Sequence, residues 1–183
     1  MGQPKALLPL KDQPTLRRCL GTLLHGMVWE IIVILGPETE AAAALLEGMP
    51  LKIINNTLPQ SDMAKSVRLG LAAMKPQSAG ALVFPVDHPL VQPETLKKLV
   101  AKALEAPDRI IIPTFQERRG HPTLFPKAWL AEIYQGFNLR EIIGRHPDKV
   151  TLLPVEDEGV VLDMDTPEDY REICRRLEEE THE

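Results

Sequence analysis

The sequence is poor in the features that would commit it to several large classes of protein. It has only two cysteines, Cys19 and Cys174, in 183 residues, and neither sits in a metal-ligand spacing. That argues against a disulfide scaffold and fits a reducing cytosol. It has no basic stripe: the formal net charge is -5, the pI is about 5.6, and basic pairs such as Lys97–Lys98 and Arg175–Arg176 lie among acids. Nucleic acid is therefore not an expected partner. No apolar run approaches the roughly 20 residues that cross a bilayer, and no signal peptide opens the chain, so a membrane is not expected either. There is no repeat and no low-complexity linker, and the length favours one domain over residues 1–183. His25, His146 and His182 show no ligand spacing, and no Ser/His/Asp set has supporting context. Zinc and nucleophilic catalysis are thus unsupported. What remains, at 44% hydrophobic and 26% charged residues, is the balance of a soluble, cytoplasmic, globular protein.

The patterning alternates between short apolar runs and helical periodicity. Ile31–Leu35, ended by Gly36-Pro37, reads as a strand buried on both faces, as do Ala81–Val86 and Ile110–Ile112. Leu51–Ile54, Val150–Val155 and Val160–Leu162 are weaker strand candidates. Between them, Pro14–Met27 and Glu38–Leu46 have helical spacing, and Met63, Val67, Leu71 and Met74 fall on one helical face. Pro93 stands at a first helical position before a stripe of Leu96, Leu99, Val100, Ala103 and Leu104. Thr166-Pro167-Glu168-Asp169 starts a last helix with an N-cap, an N1 proline and two acids suited to the positive helix end. The helix then frays into Glu178–Glu180. Such alternation predicts a three-layer α/β domain with a mostly parallel sheet. Sheets of that kind bind ligands beyond the carboxyl ends of their strands.

Four segments fall in such places. In Phe84-Pro85-Val86-Asp87-His88-Pro89-Leu90 an apolar strand runs into an acid on a proline-stiffened loop. A carboxylate there suits Mg²⁺, which shares its oxygen ligands with substrate phosphates; an ordinary turn aspartate is the bland alternative. Asp163 and Asp165 flank Met164 before the capped helix, and strand alternation would put both on one side to complete a metal site with Asp87. In local terms, helix-end charge for Asp165 and a solvated Asp163 explain them somewhat better. In Arg118-Arg119-Gly120-His121-Pro122 the arginines suit phosphate and Gly120 permits close backbone approach to a ligand, against the reading of a charged surface hairpin. His121 reads as a packing or hydrogen-bonding residue rather than a base. Lys5 lies between two prolines as a compact charge suited to phosphate, or as a solvated lysine near a terminus.

Taken in order, these segments resemble the MobA-like nucleotidyltransferases, most closely the molybdenum cofactor cytidylyltransferases. Met1-Gly2-Gln3-Pro4-Lys5 looks like the end of the family's glycine-rich signature, and Ser66-Val67-Arg68-Leu69-Gly70-Leu71 is similar to its Ser-Ile-Arg-x-Gly-Leu helix. Pro85–Leu90, Arg119–Pro122 with Leu124-Phe125, and Asp163–Tyr170 match its metal loop, substrate-side loop and carboxyl-terminal block. The resemblance implies a Rossmann-like nucleotide-diphospho-sugar transferase fold. It also implies Mg²⁺-dependent transfer of CMP from CTP to molybdopterin or its molybdate complex, with pyrophosphate release. Asp87 would act in catalysis and hold the metal with Asp165 or Asp163. Lys5 would neutralise triphosphate charge, Ser66 would join it in binding, and Arg119, Gly120 and His121 would line the acceptor side. A molybdoenzyme would receive the product.

Two departures qualify this. Residues 59–64 lack the family's Gly-Met-Ser run; Asp62 stands at the glycine position, adding negative charge that Lys65 would offset. The family's first strand and glycine-rich loop are also missing. That strand lies inside the sheet, so its absence is expected to leave two strands with unpaired backbone groups, each worth on the order of 1–3 kcal/mol when buried. Three explanations stand: upstream residues omitted from the stated chain, favoured because Met1-Gly2 coincides with an internal Met-Gly of the motif; a strand from a partner; or a naturally reduced relative. Two further functions remain beside the first. One is another nucleotidyltransferase, using GTP or a sugar- or alcohol-phosphate acceptor. The other is a non-catalytic protein that delivers cofactor.

Overall fold

The computed structural model describes residues 3–57 and 62–179. Met1-Gly2 of the signature, Pro59–Ser61 of the departing segment, Glu180 of the frayed helix and His182 lie outside them. The described chain runs β1 (Pro9–Leu10), β2 (Gln13–Pro14), α1 (Thr15–His25), β3 (Ile32–Leu35), a 3₁₀ segment Pro37–Leu46, β4 (Lys52–Asn55) and α2 (Met63–Ala73). It continues with β5 (Gly80–Val83), α3 (Pro93–Glu105), β6 (Ile110–Phe115), β7 (Arg118–Arg119), β8 (Thr123–Pro126), α4 (Lys127–Leu130) and α5 (Leu139–Arg145). β9 (Val150–Pro154), a 3₁₀ turn Glu158–Val161 and α6 (Pro167–Glu179) complete it. No helix among the described residues is long and apolar enough to cross a membrane.

The fold is α/β, with a mixed main sheet. β6 is its centre: Ile110 to Thr114 are all buried, and β6 pairs in parallel with β9 and antiparallel with β7 and β8. β5 pairs antiparallel with β8, so β5, β6 and β9 share one direction and β7 and β8 run against it. Successive side chains of β6 face opposite layers. Ile110 and Ile112 pack with α2, Phe125, α4 and α5, while Ile111 packs with α3 and Leu124. Helices thus cover both faces, which is why this strand is a continuous β-branched run.

β3 and β4 form a separate parallel pair. Among the described residues, β3 is bonded along β4 and β5 along β8, and no ladder joins the pair to the main sheet. α1 and the Pro37–Leu46 segment close the pair's core through Leu16, Leu20, Val33, Leu35, Ala42 and Leu46.

Three expectations change in detail. Glu38–Leu46 winds as 3₁₀ rather than α, with only Ala42 and Leu46 buried, so one narrow edge docks. Met63 is 57% exposed, whereas Val67, Leu71 and Met74 pack inward; it begins the helix at the site rather than belonging to its core face. Val160-Val161 is not strand. Asp157 bonds the Gly159 amide, and Gly159 lies so close to the Leu90 carbonyl that a Cβ would sit 2.4 Å from it, which bends the chain into a 3₁₀ turn. Tertiary contact overrides β propensity here.

A fourth apolar cluster matters most for function. Leu8, Leu10, Leu90, Met164, Ile173 and Leu177 are buried together. It knots the segment after Lys5, the loop after Asp87 and the stretch bearing Asp163 and Asp165 against α6.

Candidate active site

Each arm of the site is held by local chemistry. The Asp87 loop is pinned to α1: Arg18 Nε donates to the Pro89 carbonyl at 3.0 Å, Thr22 Oγ1 to that of Val91 at 3.1 Å, and Cys19 Sγ to that of Val86 at 3.4 Å. Lys5 opens a short 3₁₀ turn, and the chain after it is tied to α1 by Thr15, whose hydroxyl donates to the Leu8 carbonyl at 2.9 Å. α6 is stapled back by Tyr170, whose hydroxyl donates to the Pro9 carbonyl at 2.6 Å. At its start Thr166 and Asp169 cap each other, the Asp169 carboxylate accepting from the Thr166 amide at 2.7 Å and the Asp169 amide donating to Thr166 Oγ1 at 3.2 Å. That assigns Asp169 to helix capping, as its position predicts.

The three arms meet at one ammonium group. Lys5 Nζ lies 3.1 Å from Asp87 Oδ2 and also bonds Asp165 Oδ1. The two carboxylates therefore converge on a single cationic centre, with side-chain exposures of 25% for Asp87 and 62% for Asp165. Asp87 also accepts from His88 Nδ1 at 3.0 Å. Burial works to raise the Asp87 carboxyl, yet the bonds and charges of His88 and Lys5 outweigh it and hold the group at about 2. Burial likewise works against the charge on Lys5, but its bonds to Asp165 and Asp87 raise it above its ordinary value. At neutral pH Lys5 is therefore an ammonium and Asp87 a carboxylate.

A family model, the MobA-like NTP transferase domain, matches residues 1–150. The chain belongs to this family. It is therefore a nucleotidyltransferase by descent and fold, and the family's name makes a nucleoside triphosphate its donor substrate. Among curated proteins, nicotine blue oxidoreductase of Paenarthrobacter nicotinovorans is 28% identical over 176 residues, covering 90% of this chain and 85% of that protein. Among solved structures, Rv0371c from Mycobacterium tuberculosis H37Rv superposes with a TM-score of 0.83 at 25% identity, over 96% of this chain and 90% of that one. A complex of Rv0371c with manganese gives a TM-score of 0.81 at 25% identity, over 95% and 93% of the two chains.

Beside the Lys5 centre lies a cleft of about 320 Å³, and Asp87, Asp163, Arg118, Arg119, Gly120 and His121 line it. Asp163 and Asp165 part company here: Met164 is fully buried between them, Asp165 turns to Lys5 and Asp163 to the cleft. The stretch is not strand, and the two acids separate instead of sharing one side as strand alternation would have it. His121 stacks edge-on against His88 with ring centroids 4.8 Å apart. Burial, and then the proximity of His88, lower its pKa, with Asp87 and Asp163 opposing only in part. His121 Nδ1 is the one buried side-chain N or O atom without a hydrogen-bond partner among the described residues. Such an atom costs on the order of 1–3 kcal/mol, which a ligand in the cleft can recover.

Three residues singled out in the sequence have structural roles that local pattern did not show. Gly120 is small because of the protein's own backbone: a Cβ would sit 2.3 Å from the Val160 carbonyl oxygen, and the His121 amide donates to that same oxygen at 2.8 Å. Asp62 caps α2, its carboxylate accepting from the Lys65 amide at 2.7 Å. Ser66 stands on the first turns of α2 and accepts from buried Asn56 at 3.3 Å; it is not among the residues lining the cleft. Sequence reasoning missed His88. Its only signal was adjacency to Asp87, and nothing in the sequence told that the two side chains would bond.

Proposed function

We propose that this chain transfers a nucleotidyl group, CMP from CTP, to the phosphate of a molybdopterin-type acceptor, with Mg²⁺ as the divalent cofactor. The observation that carries the reading is the convergence of Asp87 and Asp165 on one cation. Among the described residues no three His, Cys, Asp or Glu side chains gather as a ligand cluster. A pair of carboxylates fits a hard ion that completes its shell with water and substrate phosphates, as Mg²⁺ does. The manganese complex of Rv0371c supports a divalent ion in this fold. When bound, the ion supplies charge neutralisation across the phosphates.

The chain's own residues supply position and field. Asp87 and Asp165 hold the ion. Lys5, released from the carboxylates, meets the negative charge that builds on the departing pyrophosphate. Arg118 and Arg119 orient the acceptor phosphate, and His121 Nδ1 bonds the acceptor body. An oxygen of the acceptor phosphate attacks the α-phosphorus of CTP, a new P–O bond forms, and the bond from that phosphorus to the α–β bridging oxygen breaks. No covalent enzyme intermediate is required; orientation and electrostatics carry the barrier reduction.

The test is pyrophosphate release by the purified protein with each nucleoside triphosphate, Mg²⁺ and molybdopterin. CTP-dependent release with a CMP-bearing product supports the reading. Release only with GTP, or only with a sugar or alcohol phosphate, moves the chain to another branch of the same chemistry. Pterin binding without turnover makes it a delivery protein. The likeness to nicotine blue oxidoreductase favours a second reading, reduction of nicotine blue by an added two-electron donor, and donor-dependent bleaching of nicotine blue in place of pyrophosphate release would establish it.

A further inference from the structure

Asp87 divides its two oxygens between two partners. Oδ2 faces the cation position held by Lys5 at 3.1 Å, while Oδ1 accepts from His88 Nδ1 at 3.0 Å. His88 is 6% exposed, and its ring is wedged edge-on against that of His121 at 67° between planes. Its backbone is held in the same turn, its amide donating to the Pro85 carbonyl at 3.4 Å and its carbonyl accepting from the Val91 amide at 3.5 Å. The bond to Asp87 and the ring contact with His121 set the orientation of the imidazole, and that orientation occupies one lone-pair direction of the neighbouring acid.

We propose that His88 is a positioning residue: it locks the Asp87 carboxylate so that Oδ2 alone is presented to the divalent ion. It also lines the cleft, but the role proposed for it runs through Asp87 rather than through direct contact with the ion. It acts through Asp87, in the way that outer-shell hydrogen bonds orient metal-ligating groups, and Asp87 binds through one oxygen as a result. The bond requires a proton on Nδ1. The inference rests on the metal reading above.

Mn²⁺ binding to the whole protein without nucleotide, followed by electron paramagnetic resonance, separates the two. Wild type binds the ion and Asp87→Asn does not. His88→Leu, which keeps bulk but no donor, weakens Mn²⁺ binding roughly 10-fold to 100-fold, and His88→Asn, which returns an N–H near the Nδ1 position, restores most of it. Unaltered Mn²⁺ affinity in His88→Leu overturns the positioning role while leaving the metal reading intact. Equal weakening in His88→Leu and His88→Asn, in step with equal losses of thermal stability, reduces His88 to packing and overturns it too. Absence of Mn²⁺ binding in wild type defeats both. If His88→Leu does not fold, the imidazole ¹⁵N shifts of wild type decide the matter, because an Nε2–H tautomer leaves no donor for Asp87 and is incompatible with the proposal.

Discussion

The two acidic arms of the site are built in opposite ways. Asp87 sits on a loop tied to α1 by three side-chain bonds, is three-quarters covered, and has both carboxylate oxygens engaged. Asp165 stands on an irregular stretch after a 3₁₀ turn, is mostly exposed, and bonds Lys5 alone among the described side chains. One arm is rigid before any ligand arrives; the other is free to adjust. A site that must hold a cation firmly yet admit phosphates of changing geometry gains from that asymmetry, since preorganisation is needed only where charge is fixed.

The contrast breaks if the acids prove interchangeable. Asp87→Asn is expected to lower nucleotidyl transfer by roughly 10³-fold or more, and Asp165→Asn by roughly 10-fold to 100-fold, each tenfold step being about 1.4 kcal/mol of barrier. Steady-state rates for both variants check this; equal losses would show two equivalent ligands. Next in size, Gly120→Ala drives a Cβ into the Val160 carbonyl on the turn leading to Asp163 and Asp165. Thermal unfolding is expected to show a loss of about 1–3 kcal/mol, with the Asp165 arm displaced and the Asp87 loop left in place.

Acid sharpens the contrast. The folded Asp87 carboxyl, at about 2, lies below its ordinary 3.8. Its stabilisation is therefore full above about pH 4 and drains away as the pH falls towards 2, amounting to about 2 kcal/mol. Denaturant unfolding across that range should show wild type losing its advantage over Asp87→Asn, whereas Asp165→Asn tracks wild type more closely. The smallest effect is expected at Thr166→Ala. It removes the reciprocal cap of α6 and costs about 1 kcal/mol in unfolding experiments, while the Asp87 loop, braced by α1, keeps its Mn²⁺ affinity within about twofold.

The parts legible in the sequence are those governed by local pattern. Ile110–Ile112 announced a two-sided strand, Pro93 and Leu96–Leu99 a helix, and Thr166 with Asp169 a cap, because periodicity and capping act over a few residues. Lys5, Asp87 and Asp165 were each placed at the site, through motif order rather than through any spacing that shows them meeting. What was not legible depends on contacts between distant segments. Val160-Val161 has strand propensity, but Leu90 crowds Gly159 and bends it. Gly120 gave no sign of which backbone it had to admit. Asp62 looked like a misplaced charge until its capping bond appeared. The His88–Asp87 bond depends on a ring orientation that the wedge against His121 imposes.

Lys5 and Asp165 bond across 160 positions, and Tyr170 reaches Pro9 across 161. Such long-range closures form late, after the loop entropy between them has been surrendered. On the proposed metal reading, a chain whose final helix has not docked would hold its aspartates apart and lack a grip on a divalent ion, so ion affinity would double as a reporter of complete folding. Stopped-flow refolding in the presence of Mn²⁺ would find chelation arriving with the slowest phase.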